Sequence, residues 1–402
     1  MRRRIIGVLL AAVFLLPAAW LNAEVAASGA VMTKSFTVNK GDRLEVYVDE
    51  GDVLVKAWEK NEASVLVSGL DEREMTGVTV SQNGRTVRVD YERRNGRSHH
   101  VRFEISVPSQ FDLDLRTAGG DVSLQGTFAG EIKGQTSGGD IRFGDANGHV
   151  NMQTSGGDIT GGKITGDSGL DTSGGDIQVT LVTGQATLQT SGGDISVGNV
   201  GKTLKASTAG GDITVGNVGG TAELNTAGGK IHVGDVDGQA TASTAGGDIV
   251  MGVVSGSASM RTAGGDIELK GASGIVTAKT SGGDVALHNV TGSVTGDTAG
   301  GDVTAELIPS GKGESHLETS GGEIALSVPE NAHATIDARI RIRGHWKDNK
   351  EEYKIYSDFP SKDYTTDDEN HEIRATYVLN GGGERISLDT VNGDIHIRSL
   401  KR

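Results

Sequence analysis

The sequence has no cysteine, only 5 prolines, and 4% aromatic residues in 402 positions. Without cysteine there can be no disulfide scaffold, no thiolate metal site and no lipid on an N-terminal cysteine. Positive charge is also short: the formal net charge is -15, and removing residues 1–23, with three arginines and no acids, takes it to -18. Such an acidic chain is a poor partner for nucleic acid or anionic lipid. After Leu21 no run is apolar enough to cross a membrane.

One apolar run stands at the very start. Arg2, Arg3 and Arg4 precede Ile5 to Leu16, and a small-residue region follows with Ala23 or Ala27 as candidate last residues before cleavage. This pattern predicts a secretory signal over residues 1–23 and an exported chain, in the periplasm or at the cell surface. An uncleaved anchor is the alternative, because Ile5 to Leu21 is nearly long enough to span a bilayer. The flanks fit the signal better.

What the sequence has in abundance is glycine, 62 residues without a Gly-X-Y period, which excludes collagen and points to many turns. The turns recur. Thr117, Thr136, Thr154, Thr172, Thr190, Thr208, Thr226, Thr244, Thr262, Thr280, Thr298 and Thr319 head near-identical units, spaced by 19, then by 18 nine times, then by 21. A fixed period of this length signals stacked repeats. Eighteen residues suit two short strands and two turns, one coil of a flattened β-solenoid.

Alternation supports this reading. Two before each threonine stand Leu188, Ala206, Leu224, Ala242 and Met260, and just after each aspartate stand Ile195, Ile213, Ile231, Ile249 and Ile267. These are period-2 strands with one buried face. Thr190, Thr208, Thr226 and Thr244 share the parity of the buried columns, so their hydroxyls should pair with the next coil or with the turn backbone. The corners Gly192-Gly193-Asp194, Gly210-Gly211-Asp212 and Gly246-Gly247-Asp248 form the expected turn ladder. Glycine there would supply backbone angles costly for other residues, and would let identical corners stack about 4.8 Å apart.

The predicted fold is all-β: a single-stack β-solenoid with about 18 residues per coil, capped at both ends by irregular β segments. Residues 29–116 read as an N-terminal β cap with irregular first coils, including a hairpin across Asn83-Gly84. Residues 117–329 read as the regular array. Residues 330–402 read as a charged, aromatic-containing cap and a closing rung around Thr390.

Units such as "TSGGDI" and "TAGGDI" behind a signal-like segment resemble the bacterial "putative adhesin" family, exported β-strand-repeat proteins of unknown function. "VPSQFDLDLRTAGGDVSL" and "SVPENAHATIDARI" are similar to that family's entry into a repeat. The resemblance covers roughly residues 36–343 and the final rung. It implies the architecture, with no defined ligand and no catalytic residues.

Candidate chemistry is sparse. Recurring aspartates after Gly-Gly suggest either carboxylates accepting turn amides or a calcium ladder. Calcium-binding nonapeptide repeats separate aspartate from the glycine pair by three residues and use two such corners per turn. Here aspartate follows at once, and Lys230 interrupts the column, so the amide-accepting role is favoured. "GDSG" at Gly166 to Gly169 looks like a serine-protease nucleophile loop, but Ser168 has inward parity and lacks a supporting His and Asp. The histidines show no paired-ligand spacing. No metal, cofactor or catalytic residue is assigned.

Between Thr117 and Leu326 the only aromatics are Phe128 and Phe143, whereas residues 344–377 hold six. Of these, Trp346, Tyr353, Tyr356, Phe359 and Tyr364 are candidates for a binding surface, or for packing a cap onto the last coil. The expected role is a non-enzymatic envelope or surface protein, adhesin-like or scaffolding, with an unidentified protein or glycan of the envelope or surface as partner. The alternatives are a calcium-conditioned secreted module and a parallel-helix carbohydrate-active enzyme.

Overall fold

The computed structural model describes residues 30–93, 100–311, 313–344 and 352–400; the signal-like segment and Trp346 lie outside them. Among the described residues there are 39 strands and one four-residue helix, Glu72–Met75. The chain is a β-solenoid of long parallel sheets.

One coil shows how the sequence builds it. The strand Ala186–Gln189 turns at Thr190 and Gly192-Gly193-Asp194, then continues as Ile195–Val200 before the next coil starts at Leu204. Parallel pairing joins Ala186 to Leu204, Leu188 to Ala206 and Ile195 to Ile213, each 18 residues apart. Ala186, Leu188, Ile195 and Val197 are all buried. Leu188, Ile195 and Val197 each contribute roughly 1.5–3 kcal/mol, so the columns drive stacking while the parallel ladders satisfy the backbone.

The coil differs from a flattened two-strand turn in one respect. A third apolar column runs through Ile164, Val182, Val200, Val218, Val236, Val254, Ala272 and Val290, all at most 3% exposed. Parallel bridges join Val200, Val218, Val236 and Val254 in succession. The corner at Gly198-Asn199 separates Val197 from Val200 by three residues, which reverses the alternation. Each coil therefore has three short inward-facing segments.

The ends are ordered differently from the chain. Strand Arg43–Val48 lies between Thr86–Tyr91 and Asp112–Thr117, parallel to both. Its continuation Asp52–Trp58 lies between Arg102–Pro108 and Val122–Gln125. Thus coil 43–58 sits inside coil 86–108. Antiparallel strands finish this end: Glu62–Leu70 and Ala30–Thr37 on one sheet, and Val78–Asn83 on the other, through the hairpin at Asn83-Gly84.

The C-terminal end repeats the device. Strand Glu384–Val391 lies between Ser315–Thr319 and Ala334–Arg341. Ile395–Ser399 likewise separates Ile324–Val328 from Ile355–Ser357. The rung around Thr390 therefore does not close the stack; Ala334–Arg341 lies beyond it. Antiparallel Glu372–Leu379 and then Asp363–Asp367 complete the end. The last of these is an exposed strand with aspartates at both ends, a composition that discourages further strand pairing.

Candidate functional site

Among the described residues, the corner ladder repeats the same polar contacts from coil to coil. Thr190 Oγ1 donates to Gly175 O of the preceding coil at 2.8 Å and accepts the amide of Gly193 in its own turn at 3.3 Å. Thr208, Thr226 and Thr244 make the same two bonds, to Gly193 O and Gly211 N, Gly211 O and Gly229 N, and Gly229 O and Gly247 N. All four threonines are at most 8% exposed. Each hydroxyl thus ties two coils together and leaves no buried oxygen unpaired.

The glycines are required for a reason other than backbone angle. None of Gly192, Gly193, Gly210, Gly211, Gly246 and Gly247 has a left-handed φ. Instead, a Cβ on Gly193 would lie 2.1 Å from Gly175 O, and one on Gly211 or Gly247 would lie 2.1 Å from the carbonyl below it. The first glycine of each pair is less confined, with the nearest contact at 3.2 Å for Gly192. Close stacking of backbone on backbone excludes the side chain.

The aspartates also bond between coils. Asp194 Oδ1 accepts the amide of Asp212, and Asp176 Oδ1 accepts that of Asp194, each at 2.8 Å. Asp248 Oδ1 accepts the amide of Asp266 at 3.1 Å. The Lys230 amide donates to Asp212 Oδ1, but its side chain has no acceptor to offer, and its ammonium lies 2.9 Å from Asp248 Oδ2. That ammonium and the Asp266 amide hold the Asp248 carboxyl below its ordinary range. The amide-accepting oxygen gives the corner aspartates a structural reason to recur without a cation.

A second ladder, unmarked by Gly-Gly, stands at another corner. Asn199 Oδ1 accepts the amide of Asn217, Asn217 Oδ1 that of Asp235, and Asp235 Oδ1 that of Val253. Its signal in the sequence is the recurring Gly-Asn or Gly-Asp before valine. This is the same corner that reverses the alternation.

Among the described residues, the aromatic candidates do not form one surface. Tyr353 and Phe359 pack against the core, and Tyr377 is 2% exposed. Tyr356 and Tyr364 are 45% and 47% exposed but stand on strands of different sheets. Tyr356 stacks on His396 with ring centres 4.9 Å apart. Ser168 is 5% exposed and its hydroxyl has no hydrogen-bond partner, so it is an inward core residue rather than a nucleophile.

The outer faces carry open, polar hollows. One of about 680 Å³ surrounds Tyr47, whose ring lies between the guanidinium groups of Arg88 and Arg116. Burial, then the hydrogen bond to Asp114, pushes the Tyr47 hydroxyl above its ordinary value. Another, of about 360 Å³, lies over Asp337, Arg339, Arg374, Arg385 and Asp389. Beside it the outward charges form a row: Lys279 Nζ is 2.5 Å from Asp297 Oδ2, Arg341 Nη2 is 3.2 Å from Glu318 Oε1, and Arg339 Nε is 2.5 Å from Asp389 Oδ1. His316 Nε2 lies 3.2 Å from Glu318 Oε2. The scattered histidines of the sequence did not mark this grouping, because its members come from separate coils.

Continuous coils joined by polar corner ladders define a repeat protein of the β-solenoid class, with its chemistry on the outer faces. The Toastrack DUF4097 family model matches residues 41–218 and 201–358, and the chain belongs to that family. Among solved structures it is similar to a "putative adhesin" from Bacteroides fragilis NCTC 9343, at 14% identity and TM-score 0.28, covering 67% of this chain and 97% of the other. A "putative adhesin" from Parabacteroides distasonis ATCC 8503 matches at 12% identity and TM-score 0.23, covering 75% and 93%. A "putative lipid binding protein" from the same organism matches at 14% identity and TM-score 0.21, covering 75% and 94%. No curated protein matches the chain.

Proposed function

We propose that the protein is a non-enzymatic, exported rod of the cell envelope or cell surface, with an adhesin-like or scaffolding role. The observation that carries this reading is the unbroken register of the array. From Val150 to Val294, equivalent residues pair at a constant displacement of 18, with no loop inserted into any coil. A parallel-helix enzyme builds its substrate groove from loops inserted at several coils, and this array offers none. A stack tied by buried threonines and corner amides suits rigid spacing or display. Its partner is then a protein or glycan of the envelope or surface, met on a mixed polar face such as Gln189, Ser207, Asn225 and Ser243.

The test is protease treatment of intact cells carrying a tag after Arg402, with lysed cells as control. Loss of the tag from intact cells supports a surface adhesin. Protection until the outer layer is opened supports an envelope scaffold. A tag found only in the cytoplasmic fraction overturns the reading.

A further inference from the structure

We infer that Asp297, His316 and Glu318 form a binding site for a divalent transition-metal ion of the zinc class. The three residues project from the outer face of neighbouring strands, Val294–Thr298 and Ser315–Thr319, where Asp297 pairs with Glu318 and Thr295 with His316. One ligand atom from each lies within 4.8 Å of the other two. The His316 Nε2 to Glu318 Oε2 separation of 3.2 Å is already close to the edge of a tetrahedral zinc site, about 3.4 Å for bonds of about 2.0–2.1 Å.

A second observation points to a ligand. Asp297 Oδ1 is shielded from solvent and has no hydrogen-bond partner, a costly state for a carboxylate oxygen. Its sister oxygen is held by Lys279, and Glu318 Oε1 is held by Arg341. Each carboxylate thus has one oxygen fixed by a cation and the other free of one, with Glu318 Oε2 lying 3.2 Å from His316 Nε2. That is the division of labour around metal sites, where an outer partner orients each ligating group. One imidazole with two carboxylates favours zinc, manganese or nickel over calcium and magnesium, which take oxygen alone. Three protein ligands leave a fourth position for water or a partner's side chain. The ion would clip together the two coils separated by the longest repeat interval, beside the C-terminal cap.

The experiment uses the purified full chain, stripped of metal and titrated with Zn2+ by calorimetry and with Co2+ by visible absorption. The expected result is one site of micromolar affinity or tighter, with a Co2+ spectrum of mixed nitrogen and oxygen ligation and a rise in Tm on Zn2+ addition. His316→Ala should weaken binding by more than about 100-fold, beyond the roughly 10–100-fold cost of losing an outer partner, and abolish the Tm rise. His396→Ala should leave both intact. No binding below millimolar Zn2+, or binding unchanged in His316→Ala, would overturn the site. His316→Gln, which keeps a polar side chain at the same strand position, gives the same test if the alanine variant misfolds.

Discussion

The hydroxyl of Thr208 donates to the carbonyl of Gly193, one coil away, at 2.9 Å, while accepting the amide of Gly211 in its own turn. A single side chain therefore closes a corner and joins it to its neighbour. Thr208→Val removes both bonds and strands two backbone groups, so stability should fall by about 1–3 kcal/mol. Thr208→Ser keeps the hydroxyl and should lose only about 0.8 kcal/mol for the methyl. Chemical denaturation of the two variants checks the order.

The two glycines of one corner should respond unequally to the same change. A Cβ at Gly211 meets Gly193 O at 2.1 Å, whereas one at Gly210 meets Gly192 O at 3.1 Å. Gly211→Ala should cost roughly 3 kcal/mol or more, and Gly210→Ala about 1 kcal/mol. Equal costs would mean that stacking is not what demands glycine.

At Asp194 the acceptor matters more than the charge. Asp194→Asn retains an oxygen for the Asp212 amide and should remain within about 0.5 kcal/mol of wild type, while Asp194→Ala should lose about 1 kcal/mol. Adding calcium to the metal-stripped chain should leave Tm unchanged. A calcium-dependent rise abolished by Asp194→Asn would restore the cation-ladder reading.

Acid sensitivity should have a source in the N-terminal coils. Asp42 is 3% exposed, and burial raises its pKa, but the Arg85 guanidinium at 2.8 Å and the Asn39 amide at 2.8 Å outweigh burial and lower it overall. A depressed folded-state pKa gives stability that is complete above the unfolded value of about 4. It is lost as pH falls through the lower folded value. The stability gap between wild type and Asp42→Asn, measured by denaturation across pH, should be largest above pH 5 and shrink in that acid window.

The ordering of the C-terminal end predicts an unusually costly truncation. Residues 384–399 separate Ser315–Thr319 from Ala334–Arg341. Deleting 384–402 should unseat the strands from Ala334 to Leu379 as well, since their parallel partner is gone. Hydrogen exchange would show protection lost over 334–341 and 355–379 but kept over 150–290. Retained protection in 334–341 and 355–379 would refute the interleaved order.

The period, the inward threonine column and the Gly-Gly-Asp corners were legible in the sequence because their causes, contacts between neighbouring coils, recur at a fixed spacing. Each coil repeats the same contacts with the next, so an 18-residue alignment carries the register. The valine column from Val182 to Val254 escaped the alternation because the Gly198-Asn199 corner shifts parity between Val197 and Val200. Composition flagged the aromatic stretch, yet burial divided it between packed Tyr353 and Phe359 and exposed Tyr356 and Tyr364.

Which coil lies next to which at the ends was decided only in three dimensions. Strands of like pattern can pair with one another almost interchangeably, so Arg43–Val48 and Glu384–Val391 carry no local mark of lying inside the stack rather than at its limits. The same holds for Asp297, His316 and Glu318, which meet because parallel register sets residues 21 positions apart side by side. Local chemistry wrote the coil; long-range pairing, which alone can satisfy the edges of a stack, chose the order of the ends and the contents of its outer face.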